Sequence, residues 1–151
     1  MASAEPAAAP AQACIDRGAA NQFLSLLGKD PASARLRAFP HRANPAKAVI
    51  GARKGPFDLE AAEQWQREGR GIYLVINDGG DSKREINACR AFFVEWDDRP
   101  IDWQLNAWRE LGLPEPSLIV LSGGKSAHCY WLLEQPIPPQ EWAPLQAELI
   151  A

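Results

Sequence analysis

The sequence predicts an α+β fold. Three observations point there: β-rich apolar runs that end in turn signals, helical stripes fenced by caps and glycines, and two strands joined by a loop short enough for an antiparallel hairpin. A chain of 151 residues, 46% hydrophobic and 23% charged, fits one domain of ordinary size.

Residues 1–20 are rich in Ala and Pro with few large apolar groups, so they are expected to form a disordered leader, with the folded domain spanning 21–151. A helix is expected over 21–28, where Phe23, Leu24 and Leu27 form a stripe and Gly28 stops it. Residues 29–56 mix Pro, Arg, Lys and Gly around Leu36, Phe39, Val49 and Ile50, which fits short strands in a loop-rich region. Over 58–68 the run EAAEQWQRE predicts a helix with Asp58 as N-cap and Gly69 just past its end. The β-rich run GIYLVIND (71–78) predicts a central strand closed by the turn Asn77-Asp78-Gly79-Gly80. Ile86 to Val94 continues as a strand into Glu95, and Pro100 closes it. A helix follows from Trp103 to Leu111, capped by Asp102, with Leu105, Trp108 and Leu111 on its buried face. SLIVLS and AHCYWLLE then make a hairpin around Gly123-Gly124-Lys125-Ser126. Pro136, Pro138 and Pro139 break the chain before an amphipathic stretch, Glu141 to Ala151, with Trp142, Leu145 and Leu149 on one face.

Composition narrows the function classes. The net charge of −3 gives no global basic field, so nucleic-acid binding would require a local patch. Cys14, Cys89 and Cys129 form no CxxC pair, which argues against a disulfide framework or a zinc knuckle and for a reducing cytoplasm. A zinc site from Cys89, Cys129 and His128 is disfavoured because adjacent strand residues diverge. No apolar run approaches membrane-spanning length, and the opening residues lack the pattern of a secretory signal.

Two segments carry chemistry. In AFFVEWDD, strand alternation points Glu95 and Asp97 the same way at the end of an apolar strand, and two carboxylates are the hard oxygen ligands that Mg²⁺ or Mn²⁺ takes in nucleotide chemistry. Asp98 either points to the opposite side or starts the turn into Arg99-Pro100, and Trp96 reads as a packing residue. In SLIVLSGGKSAHCYW, Gly124-Lys125-Ser126 suggests a P-loop, but the required upstream glycine is Ile119 and a strand follows where a helix is needed. What remains is a tight turn, Lys125 and Ser126 able to bind phosphate oxygens, and His128 projecting beside them. Ser126, His128 and Tyr130 alternate with Ala127, Cys129 and Trp131, giving one polar and one apolar face.

With FVEWD and KSAHCYW in this order, the chain resembles the archaeo-eukaryotic primase superfamily, in particular primase-polymerases of plasmids, phages and other mobile elements. That family is marked by an acidic-x-acidic strand, a Ser-x-His strand and a hydrophobic-Asp strand. The resemblance implies an RRM-like antiparallel sheet with flanking helices and a small N-terminal α/β unit. It implies a nucleotidyltransferase that uses two divalent ions while a 3′-hydroxyl attacks the α-phosphate of an NTP or dNTP on a single-stranded DNA template. Glu95 and Asp97 would be the metal ligands, and His128, with Ser126 and Lys125, would contact the phosphates; Glu95, Asp97 and His128 make the catalytic set. Lys83, Arg84 and Arg90 would add template or triphosphate contacts, and a replicative helicase domain or protein would be a further partner. The third motif is missing, because the acidic residues after His128 are Glu134, Glu141 and Glu148. The expectation is therefore either the front part of a longer catalytic domain or a chain that binds without turnover. Two alternatives stand beside this reading. One is a non-catalytic nucleic-acid-binding or replication-initiation module, and the other is a metal-dependent nuclease, which lacks the usual Asp…Glu-x-Lys spacing.

Overall fold

The computed structural model describes residues 15–40, 51–122 and 126–150. The chain divides into two units, one built from the residues up to Leu24 with Asp30–Leu74, the other from Ser25–Lys29 with Val75–Ala151. Each carries an antiparallel three-stranded sheet and helices, so the α+β class and the small N-terminal α/β unit are both realised.

The first helix, α1 (Arg17–Leu26), starts four residues before Asn21. Asp16 is the reason: its carboxylate accepts the Ala19 N–H at 2.9 Å, so Gly18-Ala19-Ala20 are helical and not part of a leader. The rest of the expected leader, 1–14, lies outside the described residues. Gly28, at φ 68°, takes the left-handed conformation that a helix end favours.

In the first unit, β1 (Arg35–Pro40) lies between β2 (Arg53–Pro56) and β3 (Arg70–Leu74). The expected central strand at 71–78 is thus a short edge strand. Tyr73 is half-exposed and β3 stops at Leu74, because Val75 to Asn77 leave the ladder. Between β2 and β3, α2 (Leu59–Arg67) is capped as expected, with Asp58 accepting the Glu60 and Ala61 N–H groups. Arg70 is buried, with its guanidinium paired to Glu68 and its Nε donating to the Gly51 carbonyl at 3.2 Å.

The second unit's sheet orders β4 (Cys89–Glu95), β6 (Ala127–Ile137) and β5 (Leu118–Leu121), with β6 central. β4 begins at Cys89, not Ile86, after a tight loop in which Asp78 and Ala88 bridge. Gly79 is obligatory there, since a Cβ would lie 2.1 Å from the Glu85 carbonyl oxygen at a φ of 126°. Pro136 does not break β6. A register shift, from Ala91 opposite Leu132 to Cys89 opposite Ile137, lets the strand pass a residue with no N–H to donate.

The two remaining helices bury amides where apolar stripes were expected. α3 (Ile101–Glu110) has Pro100, not Asp102, at its N-cap. It buries Gln104 and Ala107 while Leu111 is exposed. α4 (Pro139–Leu149) starts at Pro139, whose fixed φ suits a first helical turn. It buries Gln146 and leaves Leu145 exposed. The physical reason is the free edge of β4. Gln146 Nε2 donates to the Phe93 carbonyl at 2.6 Å, the Phe93 N–H donates to Gln146 Oε1 at 3.2 Å, and Trp142 Nε1 donates to the Ala91 carbonyl at 2.8 Å. One glutamine side chain thereby serves as a neighbouring peptide for an edge strand.

Because Gln146→Ala would strip both polar groups of Phe93 of their partners, it is expected to lower unfolding stability by about 1–3 kcal/mol. Urea unfolding of wild type and variant checks this.

Candidate functional site

β4 and β6 bring the two chemistry-bearing segments together. Their register sets Glu95 directly opposite His128, and β5 places Val120 opposite His128 on the other side. Residues directly opposite share a face, so Val120, His128 and Glu95 form one row across the sheet. Glu95 Oε2 lies 2.8 Å from His128 Nε2, a hydrogen bond from a neutral imidazole or an ion pair from a protonated one. The carboxylate is about half-exposed, so the pair sits at a solvent-facing strand end.

Beneath it on the same face lies the row Leu118, Tyr130 and Phe93, with the Phe93 and Tyr130 rings 6.1 Å apart. Tyr130 is therefore buried rather than part of a wet polar face. Burial and then the negative charge of Glu95 push its phenol up to about 12. On the opposite face Ala127, Cys129 and Val94 are buried, and burial raises the Cys129 thiol.

Asp97 reaches its place differently from the expected alternation. The strand ends at Glu95, and Asp97 and Asp98 occupy the middle of a turn closed by the Arg99 N–H on the Trp96 carbonyl at 3.1 Å. Asp97 is exposed, and among the described residues no hydrogen bond or ion pair engages its carboxylate. Trp96 packs edge-on against Trp103 at 5.8 Å, and Arg99 lies over the same indole at 5.0 Å. The packing role read for Trp96 is thus the one it has.

Ser126 sits at the mouth of the hairpin, where the Ser122 N–H donates to its carbonyl and its own N–H donates to Ser122 Oγ. Lys125, with the two glycines before it, lies outside the described residues. Arg90 is engaged within the protein: its Nε donates to Asp78 at 2.5 Å and its guanidinium to the Gly28 carbonyl at 3.0 Å. The same Asp78 accepts from the buried Lys29, so this carboxylate ties two cations to the chain around β4. Lys83 and Arg84 are exposed.

Gln104 was invisible as a site residue in the sequence. Its Nε2 donates to the Arg99 carbonyl at 2.7 Å and its Oε1 accepts the Ala127 N–H at 2.8 Å, with the side chain fully buried. It therefore clamps the turn that carries Asp97 to the strand start that carries His128. The signal was an amide next to Leu105 on a helix whose buried face was read from Leu105, Trp108 and Leu111 alone.

Mg²⁺ and Mn²⁺ bind through one or two carboxylates and keep their other positions for water and phosphate. The exposed carboxylates of Glu95 and Asp97 fit that donor chemistry. Among the described residues no group of three or more His, Cys, Asp and Glu gathers.

No protein-family model matches the chain, and no curated protein matches it. Among solved structures it is similar to the AEP domain of the primase-polymerase (PrimPol) of cyanophage S-2L. The two are 39% identical with a TM-score of 0.83, over 91% of this chain and 72% of that one.

Two outcomes follow from the geometry. Gln104→Ala leaves a buried N–H and a buried carbonyl without partners, so urea unfolding is expected to show a loss of about 1–3 kcal/mol. In a Tyr73→Phe background, where Tyr130 is the lone tyrosine, an absorbance titration should show ionisation near pH 12, moved lower by Glu95→Gln. The folded state holds this proton more tightly than the unfolded one, so its share of stability is full below pH about 10 and is lost towards about 12.

Proposed function

Because the chain belongs to the archaeo-eukaryotic primase superfamily, as a primase-polymerase-like member, we propose that it is a DNA-directed nucleotidyltransferase. It would act in the replication of a plasmid, phage or other mobile element, adding NTP or dNTP to a 3′-hydroxyl on a single-stranded DNA template. The observation that carries this reading is the Glu95–His128 pair, 2.8 Å apart on adjacent strands, which joins the acidic motif and the Ser-x-His motif in one site.

Glu95 and Asp97 would hold Mg²⁺ or Mn²⁺, which when bound supplies charge neutralisation at the phosphates and favours release of pyrophosphate. The chain's own residues do the positioning. The carboxylate of Glu95 engages His128 Nε2 and fixes the ring at the solvent-facing strand end; with Glu95 turned to a metal, that N–H would be released to donate to a phosphate oxygen. Ser126, two residues before His128 at the hairpin mouth, and Lys125 extend the donor set toward the same phosphates. Without a cation, two carboxylates beside a triphosphate repel it, so binding depends on the metal.

Fluorescent-nucleotide titration with manganese, with and without chelator, tests the reading. Wild type is expected to bind only with metal. Glu95→Ala and His128→Ala are expected to lose at least tenfold in affinity while circular dichroism shows the fold intact. Unchanged binding in both folded variants would overturn the proposal. One second reading is a module that binds without turnover. Metal-dependent nucleotide binding without primer extension selects it.

A further inference from the structure

The ladder between β4 and β6 ends with Glu95 opposite His128. Past that pair the strands part. The chain after Glu95 turns through Asp97 and Asp98, while β6 reaches one residue further, to Ala127. The Ser126 and Tyr130 carbonyls accept from β5 or its flanks, so the backbone groups of Ala127, between them, face the β4 side. There Gln104 stands where the next residue of β4 would be, and its Oε1 accepts the Ala127 N–H at 2.8 Å.

The other end of the same amide holds the turn. Gln104 Nε2 donates to the Arg99 carbonyl at 2.7 Å, with the side chain fully buried. The adjacent Trp103 supports the turn as well, with the Trp96 ring edge-on at 5.8 Å and the Arg99 guanidinium at 5.0 Å. Because no hydrogen bond or ion pair among the described residues engages the Asp97 carboxylate, its place follows from the backbone of this turn. Gln146 offers a contrast, since both its bonds go to the single residue Phe93. Gln104 instead joins two segments, one carrying Asp97 two residues before Arg99 and the other carrying His128 directly after Ala127.

A small cation shared by Glu95 and Asp97 makes that spacing matter. Mg²⁺ takes oxygens at about 2.0–2.1 Å in near-ideal octahedral geometry, whereas Ca²⁺ accepts them at about 2.3–2.6 Å in looser arrangements. We propose that Gln104 is a positioning residue of the nucleotide site: by fastening the Asp97 turn to the start of the His128 strand, it sets the carboxylate spacing and favours Mg²⁺ over Ca²⁺. The proposal rests on the reading of Glu95, Asp97 and His128 given above. An amide suits the task because one neutral group donates at one end and accepts at the other; an ammonium could only donate and a carboxylate only accept.

The test is fluorescent-nucleotide titration of the full chain with Mg²⁺ and with Ca²⁺. Gln104→Met, close in length but without the amide, is expected to weaken Mg²⁺-supported binding roughly tenfold or more and Ca²⁺-supported binding only about threefold, with circular dichroism showing it folded. Gln104→Glu, which keeps the acceptor for Ala127 and loses the donor for Arg99, should shift the ratio the same way and serves if Gln104→Met does not fold. Gln146→Ala, which loses a buried amide of the same kind, is expected to keep the wild-type ratio of the two affinities. In an Asp97→Ala background Gln104→Met should change that ratio no further, because both act through one carboxylate. Equal losses with both ions, or a shift as large in Gln146→Ala, overturn the proposal. Wild type that binds nucleotide with manganese, while the folded Gln104 variants match it in every ion, sinks this proposal alone. Wild type that binds nucleotide with none of the three ions sinks the proposed function as well.

Discussion

The candidate site depends on one constraint, the register of β4 against β6. Glu95 meets His128 only because the two strands pair with that offset. A slip of one residue would turn His128 to the buried face of Cys129 and bring Cys129 to the carboxylate. Such a slip is opposed at several points at once. Phe93 and Tyr130 pack on one face, Val94 and Cys129 are buried on the other, and the shift near Cys89 absorbs the extra residues of β6. Gln104 adds a fastening at the functional end, since its amide holds both the turn after β4 and the first N–H of β6.

Polar side chains carry more of this architecture than the composition suggests. Gln104 and Gln146 each use both ends of one amide to satisfy a backbone carbonyl and a backbone N–H. Lys29 donates to the Ile76 and Asn77 carbonyls and to Asp78, while Arg90 takes the other oxygen of that carboxylate. A buried cation whose donors are all placed costs little to keep and would cost much to strand. Arg90, partly exposed, is held by the same Asp78 and by the Gly28 carbonyl.

The sequence made legible what strand alternation and caps encode. Asp58 opens α2, the hairpin between Leu118 and Trp131 forms, and the two motifs lie on neighbouring strands. Periodicity misled where polar atoms were the ones buried. In α3 the apolar stripe pointed to Leu111, which is exposed, and the helix turns Gln104 inward because two backbone groups there need partners. Asp97 was read as a strand residue because Glu-x-Asp has the right spacing, yet the chain turns at Trp96 to seat its indole on Trp103. Central or edge position for residues 71–78 depended on which strand paired with β1, and no local signal encodes that choice.

The amide of Gln146 on the rim of β4 also bears on solubility. β4 is an edge strand, and its core sequence Ala-Phe-Phe-Val is uncharged and β-prone, the kind of segment that recruits strands from other molecules. α4 occupies those hydrogen-bonding groups with Gln146 and Trp142, so a helix does the work of a missing strand without offering a new edge. Detachment of α4 would thus turn a stability defect into self-association, with the Phe92-Phe93 rim as the adhesive surface.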